Sequence, residues 1–111
     1  MSGAPRHSLR EELTRWMLEQ PGTETRPSQF EPTNPAIWID GRELAHFHGA
    51  REIDLRLTRQ VIRQHKDALD ADPRVTLRGG SSDWCEIAFA RRADLPALQR
   101  WIALALAANR R

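Results

Sequence analysis

Cysteine occurs once in this chain, lysine once, and no apolar run approaches the roughly 18 residues that cross a bilayer. A lone Cys85 excludes an intrachain disulfide and fits a reducing cytoplasm. With Lys66 the single lysine, nearly all positive charge is arginine, interleaved with acids to a formal net charge of only +2. That is a mixed surface with no basic stripe, and it argues against nucleic acid as a partner. The missing apolar span argues against a membrane. Met1 to Arg10 leads into a charged amphipathic segment, which is not the pattern of a signal peptide. There is no internal repeat and no low-complexity tract. At 40% hydrophobic and 29% charged, the 111 residues read as one folded domain, expected in the cytoplasm.

The elements follow from patterning. Ser8 to Glu11 reads as a capping box, and Leu9, Leu13, Trp16 and Met17 then share one helical face, predicting a helix from Leu9 to Glu19. Pro21-Gly22 ends it. Thr23 to Pro35 holds three prolines and no apolar periodicity, and is expected as a loop with Phe30 its only large apolar anchor. Ala36–Ile39 and Arg42–His48 are strands joined at Asp40-Gly41, a two-residue hairpin turn whose positions both need positive φ. Gly49-Ala50-Arg51 turns into a third strand, Glu52–Leu57. Thr58 caps a helix with the stripe Val61, Ile62, His65 and Leu69, and Asp72-Pro73 stops it. Val75–Arg78 and Trp84–Ala90 flank Gly79 to Asp83. Asp94 is the expected N-cap of a last helix burying Leu95, Leu98, Trp101, Ile102 and Ala105. The order is αβββαββα, an α+β fold in which helices pack on one face of an antiparallel sheet.

The middle strand carries His46 and His48. A strand alternates with period two, so both rings leave the same face. Which face depends on the turn at Gly49, because a slip of one residue exchanges the faces. A four-residue turn sets the histidines opposite Ile53 and Leu55. A three-residue turn pairs His46 with Asp54 and His48 with Glu52. It also gathers Trp38, Ala45, Phe47, Ile53, Leu55 and Leu57 for the helices, and is preferred. From the first hairpin, Ile37 is expected opposite Leu44. The far face then receives Arg42, His46, His48, Glu52, Asp54 and Arg56, with Trp84 and Glu86 if the later strands join the sheet, and it is expected to be open to solvent.

Several phrases occur together: Arg42 to Gly49, Asp54 to Thr58, Asp72 to Val75, and Gly80 to Trp84. In this order the chain resembles the luciferase-like domain family, small bacterial proteins named after the fungal luciferase. That enzyme oxidises a hydroxylated pyrone with molecular oxygen. The resemblance spans about residues 36–110, with residues 1–35 forming an N-terminal helix and proline-rich loop. It implies a small enolic or aromatic ligand, and oxidation or proton transfer without a cofactor. Light emission is not among the expectations.

His46, His48 and Asp54 are the candidates for catalysis, since a carboxylate fixes a histidine tautomer and raises the basicity of the other nitrogen. Arg42, Arg56, Ser81, Ser82, Asp83, Trp84 and Glu86 are the candidates for holding a ligand, Trp84 as an aromatic wall. Each has a plainer reading: arginines paired with acids, serines as turn chemistry, histidines as satisfied surface residues. His-x-His with Asp54 or Glu86 also has the composition of a two-histidine, one-carboxylate metal triad. The expected cofactor is none and the expected partner a small molecule. The alternatives are a non-catalytic binding module or a metal-dependent oxygenase using His46 and His48. Cys85 is expected to be a buried small hydrophobe.

Overall fold

The computed structural model describes residues 8–111. Its elements in chain order are α1 (Leu9–Leu18), β1 (Thr23–Pro27), β2 (Pro35–Ile39), β3 (Arg42–Phe47), β4 (Glu52–Arg56), α2 (Arg59–Gln64), α3 (Lys66–Ala71), β5 (Val75–Leu77), β6 (Trp84–Ala88) and, after a 3₁₀ turn at Arg92–Asp94, α4 (Leu95–Asn109). The strands form one antiparallel sheet in the order β1-β2-β3-β4-β6-β5. The α+β class is as expected. Leu13 and Met17 of α1, Leu69 of α3, and Leu98, Ile102 and Ala105 of α4 close over Ile37, Ala45, Ile53, Leu55, Cys85 and Ile87. None of the described helices is long and apolar enough to cross a membrane.

Ser8 accepts the Glu11 N–H and starts α1 as its sequence requires. Two elements differ from expectation. Thr23–Pro27 is an edge strand paired with β2, and the expected loop shrinks to the residues after it. Its residues after Thr23 are exposed, so no apolar alternation marks it. The expected second helix breaks at His65 into α2 and α3. At the last helix, the Asp94 carboxylate does not cap α4. It accepts the N–H groups of Ala90 and Arg91, closing the 3₁₀ turn before that helix.

Both turns that set the histidine strand behave as their residues demand. Asp40 and Gly41 sit at φ 49° and 81°, the left-handed pair of a tight hairpin. The second turn has three residues: the His48 N–H reaches the Glu52 carbonyl, and His46 faces Asp54, Phe47 faces Ile53 and Ala45 faces Leu55.

The first hairpin carries a departure. A bulge shifts the register at Ile37 and Trp38, so Ile37 faces Ala45 where Leu44 was expected, and Trp38 faces Glu43. Leu44 and Ala45 are consecutive yet both lie in the core. One extra residue on β3 has this effect, because the pleat skips a beat. Trp38 therefore leaves the helix-covered core expected for it and sits opposite Glu43, with the Arg26 guanidinium 5.7 Å from its ring centre.

Candidate functional site

On a regular strand, residues three apart point to opposite faces. The bulge cancels one step, so Glu43 and His46 emerge together: Glu43 Oε2 lies 2.8 Å from His46 Nδ1. Glu43 is fully buried and fixed from behind, accepting the Ser28 hydroxyl at 2.7 Å and the Gln29 N–H at 2.7 Å. The other ring nitrogen of His46 is 3.0 Å from Asp54 Oδ2. A carboxylate can only accept, so with both carboxylates ionised His46 carries a proton on each nitrogen. Burial works against the charged ring. The carboxylates of Asp54 and Glu43 outweigh it and raise His46 above the ordinary histidine value. Burial likewise pushes Asp54 up, but the bonds from His46 and His48 dominate and hold it below the usual carboxylate range.

The two histidines are thus unlike. His46 is buried, whereas the His48 side chain is half exposed. His48 Nε2 lies 2.7 Å from Asp54 Oδ2, and its Nδ1 has no hydrogen bond among the described residues. Arg78 adds a third donor to the same oxygen at 2.8 Å. Three nitrogens therefore crowd Asp54 Oδ2, while its buried Oδ1 has no partner among the described residues. Beside them Glu52 and Glu86 approach Asp54. Burial and the neighbouring Glu86 raise Glu52 above its ordinary value.

Aromatic rings close the buried side. The Trp84 ring centre is 5.3 Å from that of His46, and Phe30 lies 5.7 Å from His46 and 5.4 Å, edge-on, from Trp84. Phe30 is 61% exposed, so it covers these rings from the solvent side. The expectation of an open histidine face is corrected accordingly. Glu43, His46 and Asp54 are inside, and His48 alone of the expected catalytic set reaches solvent.

The structure brings His46, His48, Asp54, Trp84 and Glu86 together and leaves other candidates aside. Arg42 lies on the turn side of the bulge, opposite Ile39, where its parity no longer matches His46. Asp83 bonds the Arg59 N–H and approaches Arg56, while its carbonyl holds the Thr58 N–H. These bonds anchor the start of α2, where Thr58 takes a strained φ of 79°. The Ser82 hydroxyl accepts the Trp84 N–H, and Ser81 is exposed in the turn. Sequence reasoning missed Glu43 and Arg78, as well as the contacts of Ser28 and Phe30. A Glu-x-x-His-x-His string was visible, but a regular strand turns its glutamate inward.

The donor atoms of His46, His48 and Asp54 lie within 4.8 Å of one another, as do those of Glu52, Asp54 and Glu86. A cleft of about 710 Å³ lies elsewhere, under α1, floored by Ile37, Ala45 and Phe47. β3 thus shows alternate residues to that cleft and to the imidazole cluster.

No curated protein and no solved structure matches the chain. The sequence profile of the luciferase domain matches residues 41–105, more than half of the chain, from the turn of the first hairpin into α4. The chain belongs to the luciferase domain family.

Proposed function

We propose that this protein binds a small, flat molecule with an acidic hydroxyl, enolic or phenolic, at the His48 edge of the site and promotes its ionisation. The observation that carries this reading is the state of His48. Asp54 grips Nε2, which fixes the ring and its tautomer, and leaves Nδ1 as an oriented acceptor at a solvent-reachable position. The hydroxyl proton passes to Nδ1, and the remaining oxyanion lies beside Arg78 and the imidazolium of His46. The exposed ring of Phe30, backed edge-on by the buried Trp84, supplies apolar surface for the rest of the ligand. An oxidation of the ionised molecule by oxygen is the further reaction that the family's namesake suggests.

Titration of purified protein with enolic pyrones and chromogenic phenols, read by the absorbance change on ionisation, tests this. Saturable ionisation of the ligand that disappears in His48→Ala is expected. No saturable binding by any of these ligands overturns the reading and leaves the face to a protein partner.

A further inference from the structure

We infer that His46, His48 and Asp54 form a three-ligand site for a divalent transition-metal ion, with the remaining coordination positions open at the exposed side of His48. This does not rest on the small-molecule reading. It concerns the same side chains and names what they hold before any ligand arrives.

Convergence is the first argument. Both imidazoles present Nε2, and both aim at one oxygen of Asp54, at 3.0 and 2.7 Å. Ligand bonds of about 2.0–2.2 Å place the donors of a tetrahedral ion roughly 3.3 Å apart. An opening of the cluster by about half an ångström reaches that spacing. Two histidines and one carboxylate on adjacent antiparallel strands form a donor set that leaves positions free for a substrate oxygen.

The second argument is the support behind His46. A metal-bound histidine needs its other N–H held by an acceptor, most often a carboxylate, which fixes the ring and its tautomer. Glu43 does this at 2.8 Å and is itself held by Ser28 and the Gln29 N–H. Ring and carboxylate are both buried, so His46 is fixed from behind with Nε2 turned toward Asp54 and His48.

The third argument is the imbalance at Asp54. Its Oδ2 receives three donors, more than its two lone pairs serve well, while the buried Oδ1 has none among the described residues. An ion near Oδ2 replaces two of the three N–H groups and relieves the crowding. Arg78 is the competing cation. Its side chain is partly exposed and its Nε lies 3.9 Å from Glu86, so a second carboxylate is at hand when it yields.

The inference also bears on chemistry. A His48 ligated through Nε2 keeps its proton on Nδ1, so the acceptor role proposed above belongs to the ion-free protein. With an ion bound, the hydroxyl oxygen has the open positions to occupy.

The test uses the full chain, stripped with EDTA and titrated with cobalt(II), followed by visible d–d absorption and by melting temperature. One equivalent should bind, with an absorption typical of nitrogen ligation and a rise in melting temperature. His48→Ala removes a half-exposed ring and should melt like the parent in EDTA while losing the cobalt signal. Glu43→Gln should bind about 10-fold or more weakly, as loss of an outer carboxylate does. His65→Ala, remote from the cluster, should bind like the parent. Absence of stoichiometric cobalt and zinc binding in the parent, or equal binding in His48→Ala, overturns the inference. Cobalt binding without ligand ionisation would leave the metal site standing and defeat the small-molecule reading; ionisation in EDTA without cobalt binding would do the reverse.

Discussion

Replacing Glu43 by alanine should be among the most damaging single changes in this protein, although the residue is charged and far from the apolar centre of the core. Glu43 is fully buried and accepts bonds from the Ser28 hydroxyl, the Gln29 N–H and His46 Nδ1. Alanine leaves all three donors facing a space too apolar to compensate them. Breaking a buried ion pair on one side costs about 3–5 kcal/mol, and stranded neutral donors about 1–3 kcal/mol each, contributions that overlap because the loop can relax. A working figure is about 3–5 kcal/mol. At about 4 °C per kcal/mol for a domain of this size, the melting temperature should fall by roughly 12–20 °C. Total stability of such a domain is about 5–15 kcal/mol, so a large share would go. Glu43→Gln keeps an acceptor oxygen and should cost about 1–2 kcal/mol. Urea and thermal melts followed by far-ultraviolet circular dichroism measure both. A Glu43→Ala protein within about 0.5 kcal/mol of the parent would refute the reasoning, since surface residues behave that way.

Three further outcomes are expected. Phe30→Ala should lower stability by no more than about 1.5 kcal/mol, the size of an aromatic edge contact, and shift tryptophan emission to the red as Trp84 loses its cover; unchanged emission would show that Trp84 is covered by something else. Burial pushes the Cys85 thiol up to about 12, so thiol reagents should label native protein only at the rate of unfolding and label it at once in urea. Fast labelling of native protein would contradict its burial. Asp94 accepts the N–H groups of Ala90 and Arg91 and pairs with Arg74, which pulls its carboxyl down to about 2. A depressed value means that its stabilising effect is complete above the unfolded value of 3.8 and is lost as pH falls through about 2. Carbon-detected titration should place its midpoint there, and a midpoint near 4 would show that the 3₁₀ turn does not close as described.

Much of the fold was legible because local signals agreed. The Asp40-Gly41 turn, the three-residue turn at Gly49–Arg51 and the apolar alternation of β4 all required the same pairing, and the His46–Asp54 contact followed from it. What escaped had no local signature. β1 is a strand through pairing alone, with an exposed surface that reads like a loop. The bulge at Leu44 and Ala45 is invisible to period-two reasoning, so Trp38 was expected on the wrong face and Glu43 was not connected to the histidines. Arg78 reaches Asp54 from 24 residues away, a distance over which spacing carries no information. The break at His65 between α2 and α3 likewise follows no glycine or proline.

The site divides between two tracts of the chain, one inside the matched family segment and one ahead of it. The stretch that matches the family profile, residues 41–105, contributes Glu43, His46, His48, Asp54, Arg78 and Trp84. Ser28 and Gln29, which clamp Glu43, and Phe30, which covers His46 and Trp84, come from the turn between β1 and β2, ahead of that stretch. One short connection, between an edge strand and its neighbour, thus determines both how firmly the inner carboxylate is held and how much of the imidazole face a ligand can reach. If the proposed small-molecule site is correct, changes in its length or in Phe30 should alter selectivity without touching His46, His48 or Asp54. Grafting connections of varied sequence between Pro27 and Pro35 would then shift which molecules the proposed site takes while leaving the imidazole cluster unchanged.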